Sequence, residues 1–130
     1  IAHPVGPART FGKYQGKAVT TAKSALSSVA TVQLMADSAR KSFGPYTGSV
    51  LSDSEEALTK AEGTFDSIQP PDDRADALHD ELSQILTSAS DHVRDVRVAA
   101  RRGELGQLSD KAVPLADDSA RLSDFVQKNK

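Results

Sequence analysis

The stretch PPDDRADALHDELSQILTSASDHVRDVRVAARRG, residues 70–103, decides the fold. Ala75, Leu78, Leu82, Ile85, Ala89, His92, Val96 and Ala99 recur in steps of three and four, which places them on one face of a helix. Leu86, Val93 and Ala100 widen that face. A Pro at the first helical position, with Asp72, Asp73 and Asp76 in the first turns, suits the positive end of the helix dipole. Arg97, Arg101 and Arg102 suit the negative end. Gln69-Pro70-Pro71 closes the preceding helix, because the residue before a Pro is pushed out of the helical region. Gly103 stops this helix or loosens it.

Three further stripes flank this one. Ala18, Ala22, Ala25, Val29, Val32, Ala36, Ala39 and Phe43 alternate four- and three-residue steps, and their small side chains imply close approach of a neighbour. Gly44-Pro45 ends that helix. Leu51, Ser54, Leu58, Ala61, Phe65 and Ile68 form the next stripe. It starts either at the capping-box pair Ser52/Glu55 or earlier, at Pro45-Tyr46, with Gly48 inside. Leu105, Leu108, Ala112, Leu115, Ser119, Leu122 and Val126 form the last, where Pro114 predicts a kink or a start as late as Pro114 itself. Strand signals are almost absent. The expected fold is therefore all-α: an up-down-up-down antiparallel four-helix bundle over residues 13–130, preceded by a Gly- and Pro-rich arm at 1–12. A three-helix bundle with a mobile segment after Gly103 is the alternative.

Composition narrows the function classes. A net charge of -2 argues against nucleic-acid binding as the main role, since phosphate neutralisation needs a surplus of Lys and Arg. The absence of cysteine excludes disulfides, thiolate metal sites and thiol catalysis. No run of about 18 apolar residues is present to span a bilayer. The chain opens on Ile1, which reads as a fragment or processed form, and any membrane link is expected through an anchor upstream.

Several short motifs dissolve on inspection. His79–Leu82 spells HDEL, a retention address only at an extreme C-terminus. Asp76 and His79 have carboxylate-x-x-histidine spacing, but bundle metal sites need a second such pair and acids from the other helices. His92, thirteen residues on, lies about 20 Å further along the axis and shares no ion with His79. FGKYQGKA at 11–18 lacks the Gly, the Ser/Thr and the preceding strand of a phosphate loop. Gly103-Glu104-Leu105-Gly106 has the spacing of a KH-domain loop without its strands. Arg94, Arg97 and Arg101 share a face that suits an anionic partner or lipid headgroup, yet Asp91 and Asp95 interleave with them, which favours a solvated, ion-paired surface. His79 and His92 are expected at the polar edge of the core. No nucleophile–base–orienter set is present, so no catalytic, cofactor-binding or metal residues are assigned and the chain reads as not an enzyme.

SIQPPDDRADALHDELSQIL and VRVAARRGELGQL, within residues 67–108, resemble small helical extracytoplasmic proteins and lipoprotein domains of actinobacteria, which often pair an Ala-rich first helix with a later one begun by Pro-Pro. Pro70-Pro71 and His79 match their PP…LH stretch, and Gly103-Glu104 matches the Gly-acid break after it. The resemblance implies a cell-envelope location and nothing catalytic. It carries over no functional residue, and the lipid-bearing Cys of such lipoproteins would lie upstream of Ile1. The leading expectation is a non-catalytic envelope module for protein interaction, spacing or sensing, its partner unspecified. A small-molecule or lipid-binding bundle with an apolar pocket between the first two helices is the alternative, near Phe43, Tyr46 and Phe65 and the glycines 44, 48 and 63. A metal enzyme built on Asp76 and His79 is a third.

Overall fold

The computed structural model describes residues 10–38 and 45–130. They form α1 (Phe11–Ser38), α2 (Pro45–Asp66), α3 (Asp73–Arg101), a one-turn 3-10 segment (Leu105–Gln107) and α4 (Leu108–Asn129). The fold is an all-α four-helix bundle, and no strand occurs among the described residues.

Side-chain pairs fix the helix directions. Tyr14, at the start of α1, packs against Phe65 at the end of α2. Glu62 of α2 accepts from Thr87 and Ser90 of α3, while Asp66, one turn later, meets His79, two to three turns earlier. Ser88 of α3 meets Asp118 of α4, and Gln15 of α1 meets Asn129 of α4. Each neighbouring pair therefore runs antiparallel. α1 and α3 touch each other and both remaining helices, whereas α2 and α4 make no contact among the described residues. α1 and α3 thus form the short diagonal. Their stripes are rich in fully or almost fully buried alanines (Ala18, Ala22 and Ala25 on α1, Ala75, Ala89 and Ala99 on α3), small enough for the two helices to approach.

The ends of α3 show why this stretch folds as it does. Asp72 is its N-cap, in extended conformation, with its carboxylate accepting from the Ala75 N–H at 2.9 Å. Pro71 therefore stands just outside the helix rather than at its first position. At the far end, Glu104 N–H bonds the Ala99 carbonyl and Gly103 N–H bonds that of Ala100. This is a Schellman closure, and it requires the positive φ of 75° at Gly103. Those bonds stop α3 and turn the chain into the 3-10 segment.

The other boundaries shift slightly from the sequence reading. α1 takes in Phe11 and Gly12, which composition assigns to the arm; Thr10 caps it, its hydroxyl accepting from Lys13 N–H. Residues 1–9, and Ala39, Phe43 and Gly44 of the first stripe and its stop, lie outside the described residues. α2 begins at Pro45, so Gly48 is inside it. α4 is not delayed to Pro114 but begins at Leu108 and runs through the proline. Burial of Leu108 and Leu115 on either side holds the turn that the missing proline N–H weakens.

Candidate functional site

Sequence reasoning singles out six polar side chains, all on α3, and the structure distributes them over three surroundings. His79 lies at the edge between α3 and α2. Its Nε2 donates to Asp66 Oδ1 at 3.0 Å, Asp80 stands 3.4 Å from Nδ1, and the Ser83 hydroxyl lies 3.4 Å from both Asp66 and His79. The imidazole also stacks on Phe65, with ring centres 5.5 Å apart. Phe65 in turn meets Tyr14 at 5.4 Å.

His92 turns the other way, onto α4. Its Nδ1 lies 2.5 Å from Oδ2 of Asp118, and Ser88 Oγ donates to Oδ1 of the same carboxylate at 2.7 Å. Asp118 is fully buried, so both of its oxygens are satisfied from α3. An ionised carboxylate only accepts, which places a proton on His92 Nδ1. His92 also lines an open depression of about 500 Å³ with Ser83, Gln84, Thr87, Ser88 and Asp91.

The three arginines do not form one free basic face. Arg97 turns toward α2 and pairs with Glu55, both side chains about three-quarters buried. Arg94 pairs with Asp91 at 3.0 Å in solvent, and Arg101 is exposed. Arg97 and Arg101 line a shallow recess with Gly48, Ser52 and Ala100. Asp76 is exposed and is not among the hydrogen-bond partners of His79. Among the described residues, no three His, Asp or Glu side chains stand close enough to share a metal ion.

Two residues escape the sequence reading. Asp118 occupies a core position, three residues after Leu115 and four before Leu122, but an aspartate there reads as surface unless a partner is known. Its signal is the matching polar intrusion in α3, His92 in the apolar stripe. Tyr14 is the other. It is fully buried at the aromatic end of the bundle, its hydroxyl without a partner, and burial together with the charges of Asp66, Asp76 and Asp80 pushes its pKa up to about 12.

A mainly apolar groove lies between α1 and α2. Lys13, Gly16, Lys17, Thr20 and Thr21 line it from α1, and Thr64 and Ile68 from α2 and the turn after it, around a volume of about 670 Å³. It sits at the Phe65 end of the pair of helices, away from Gly48. No described helix is long and apolar enough to cross a membrane.

No protein-family model, curated protein or solved structure matches the chain.

Proposed function

We propose that the chain is a non-catalytic helical-bundle module of a bacterial cell envelope, acting through its surface in protein interaction, spacing or sensing. One observation carries the non-catalytic part. The side chains best suited to chemistry are engaged by neighbouring helices: His79 by Asp66, His92 by Asp118, Arg97 by Glu55. Such pairs turn these side chains onto neighbouring helices, and the Ser83 hydroxyl beside His79 also reaches the same Asp66 carboxylate. The envelope location rests on the resemblance of residues 67–108 to extracytoplasmic domains. The coding sequence upstream of Ile1 tests it: a signal peptide, a lipid-attachment cysteine or a transmembrane segment is expected, and a chain that starts without any of them overturns the location.

The groove between α1 and α2 favours a second reading, a small-molecule-binding bundle. Its volume falls in the range of ligand sites, about 300–1,000 Å³. A thermal-shift screen against amphiphiles, haem and metal ions tests it. A saturable rise in melting temperature is expected, and the absence of any rise overturns that reading.

A further inference from the structure

We infer that the α1–α2 groove binds a single-chain anionic amphiphile, a free medium-chain carboxylate, with its head on Lys13 and Lys17 and its tail along the groove past Thr20 and Thr21. The inference rests on the small-molecule reading of the groove and adds the chemistry of the ligand.

Three observations converge on it. The first is charge. Among the described residues, Lys13 and Lys17 are the only charged side chains lining the groove, and neither has an ion-pair partner there. Every Asp and Glu of the chain lies within those residues, and none places a carboxylate oxygen within 4.0 Å of either lysine ammonium. α1 carries Lys13, Lys17 and Lys23 and no acid before Asp37, within a chain of net charge -2. The depression beside His92, by contrast, includes Asp91, and Arg97 in the recess near Gly48 already holds Glu55.

The second is the wall. Beyond the lysines it consists of Thr20, Thr21, Thr64 and Ile68, which carry methyl groups, and the Thr21 hydroxyl is turned back onto the Lys17 carbonyl. From Lys13 to Thr21 the groove runs about 12 Å along α1. That suits an acyl chain of medium length lying on the surface between the helices.

The third is Gly16. It sits inside α1 and lines the groove, yet a Cβ built on it meets nothing within 4 Å. A helical Gly weakens its helix relative to Ala, and packing within the protein does not require this one. Its lack of a side chain keeps the groove open beside the two lysines.

Binding of decanoate below its micelle concentration, measured by calorimetric titration of the whole chain, tests the inference. The expected result is saturable one-to-one binding. The paired substitution Lys13→Glu and Lys17→Glu should weaken it about tenfold or more, with the melting temperature of the free protein unchanged. Gly16→Leu should obstruct the groove and abolish binding while the helix stays folded, because the first added carbon meets no protein atom. Decyltrimethylammonium, with the same tail and opposite charge, should not bind, and inorganic phosphate should bind too weakly to detect. Absence of saturable decanoate binding, binding unmoved by the lysine substitutions, or a falling melting temperature that marks detergent-like unfolding overturns the inference. If the cationic amphiphile or decanol binds as well as decanoate, in a way Gly16→Leu abolishes, the groove is a ligand site and only its anion preference falls. If no amphiphile binds, both fall.

Discussion

His79 and His92 stand on the same helix, and each meets an aspartate of a neighbour, but the two pairs differ in what surrounds the carboxylate. Asp66, the partner of His79, is 53% exposed; Asp118, the partner of His92, is 0% exposed. Water can solvate Asp66 when its histidine is removed. Among the described residues, Asp118 has only His92 and the Ser88 hydroxyl. A buried carboxylate stripped of a partner costs far more than the net worth of an intact pair, whereas an exposed pair contributes little either way. The His79 pair is therefore a surface contact added to ring stacking. The His92 pair is a lock between α3 and α4, since a shift of either helix by one residue would leave Asp118 unpaired.

The largest expected effect breaks that lock. His92→Ala should destabilise the bundle by about 3 kcal/mol, read from urea unfolding, because Asp118 keeps only one hydrogen bond. Asp118→Leu should cost much less, since the partly exposed His92 left behind still reaches water. If the two substitutions cost the same, burial of the carboxylate is not what separates the two histidines.

The aromatic end offers the next test, because Tyr14 is buried and its hydroxyl has no hydrogen-bond partner among the described residues. Its hydroxyl ionises at about 12 in the folded chain against about 10 unfolded. Between those values the unfolded state releases the proton and the folded state does not, so stability falls as pH rises from about 10 to about 12. The loss is on the order of 2 kcal/mol. It should appear in unfolding curves at alkaline pH and be absent from Tyr14→Phe. At neutral pH the same substitution removes an unsatisfied hydroxyl and should stabilise the fold by about 1–2 kcal/mol. Destabilisation instead would mean that the hydroxyl is hydrogen-bonded in solution.

These tests also mark where the sequence is legible. Period and punctuation give the helices: the stripe Leu51, Ser54, Leu58, Ala61, Phe65 and Ile68 is buried or partly buried throughout, and Gly103 closes α3 as a helix-terminal Gly should. The polar sites are half legible. His79 and His92 stand out because imidazoles beside an apolar stripe are unusual, but which neighbour each faces depends on helix rotation and register, which local periodicity does not encode. Asp118 is hidden because its burial is tolerable only with His92 and Ser88 in place, a long-range condition. Pro114 misleads in the opposite direction. Its local penalty predicts a late start, and the burial of Leu108 outweighs it. The groove is legible as a pair of helices, though not as a position along them, since its lysines look like an ordinary polar helix start.

His79→Ala sharpens the comparison from its weak side. Removing it loses the Phe65 stacking and an exposed hydrogen bond to Asp66, together worth about 1 kcal/mol. The difference from His92→Ala, rather than either value alone, measures what burying Asp118 adds. A loss for His79→Ala equal to that of His92→Ala would show the stack on Phe65 to be as essential as the lock.

Lys128 and Glu81 supply the limiting case, an α3–α4 pair 2.6 Å apart that lies wholly in solvent reach. The hydrogen bond from Lys128 to Glu81 and the charge of that carboxylate raise the lysine pKa above its ordinary value. A raised ammonium pKa adds stability at pH below the unfolded value, and this contribution disappears as pH rises through the folded one. Because Lys128 is open to solvent, salt screens the attraction and the side chains lose rotamer freedom in making it. Lys128→Gln should therefore leave the unfolding midpoint unchanged at physiological salt and show a small loss only at low ionic strength. A clear loss at high salt would mean that this pair also positions α3 against α4, and that the lock between those helices does not depend on the buried aspartate alone.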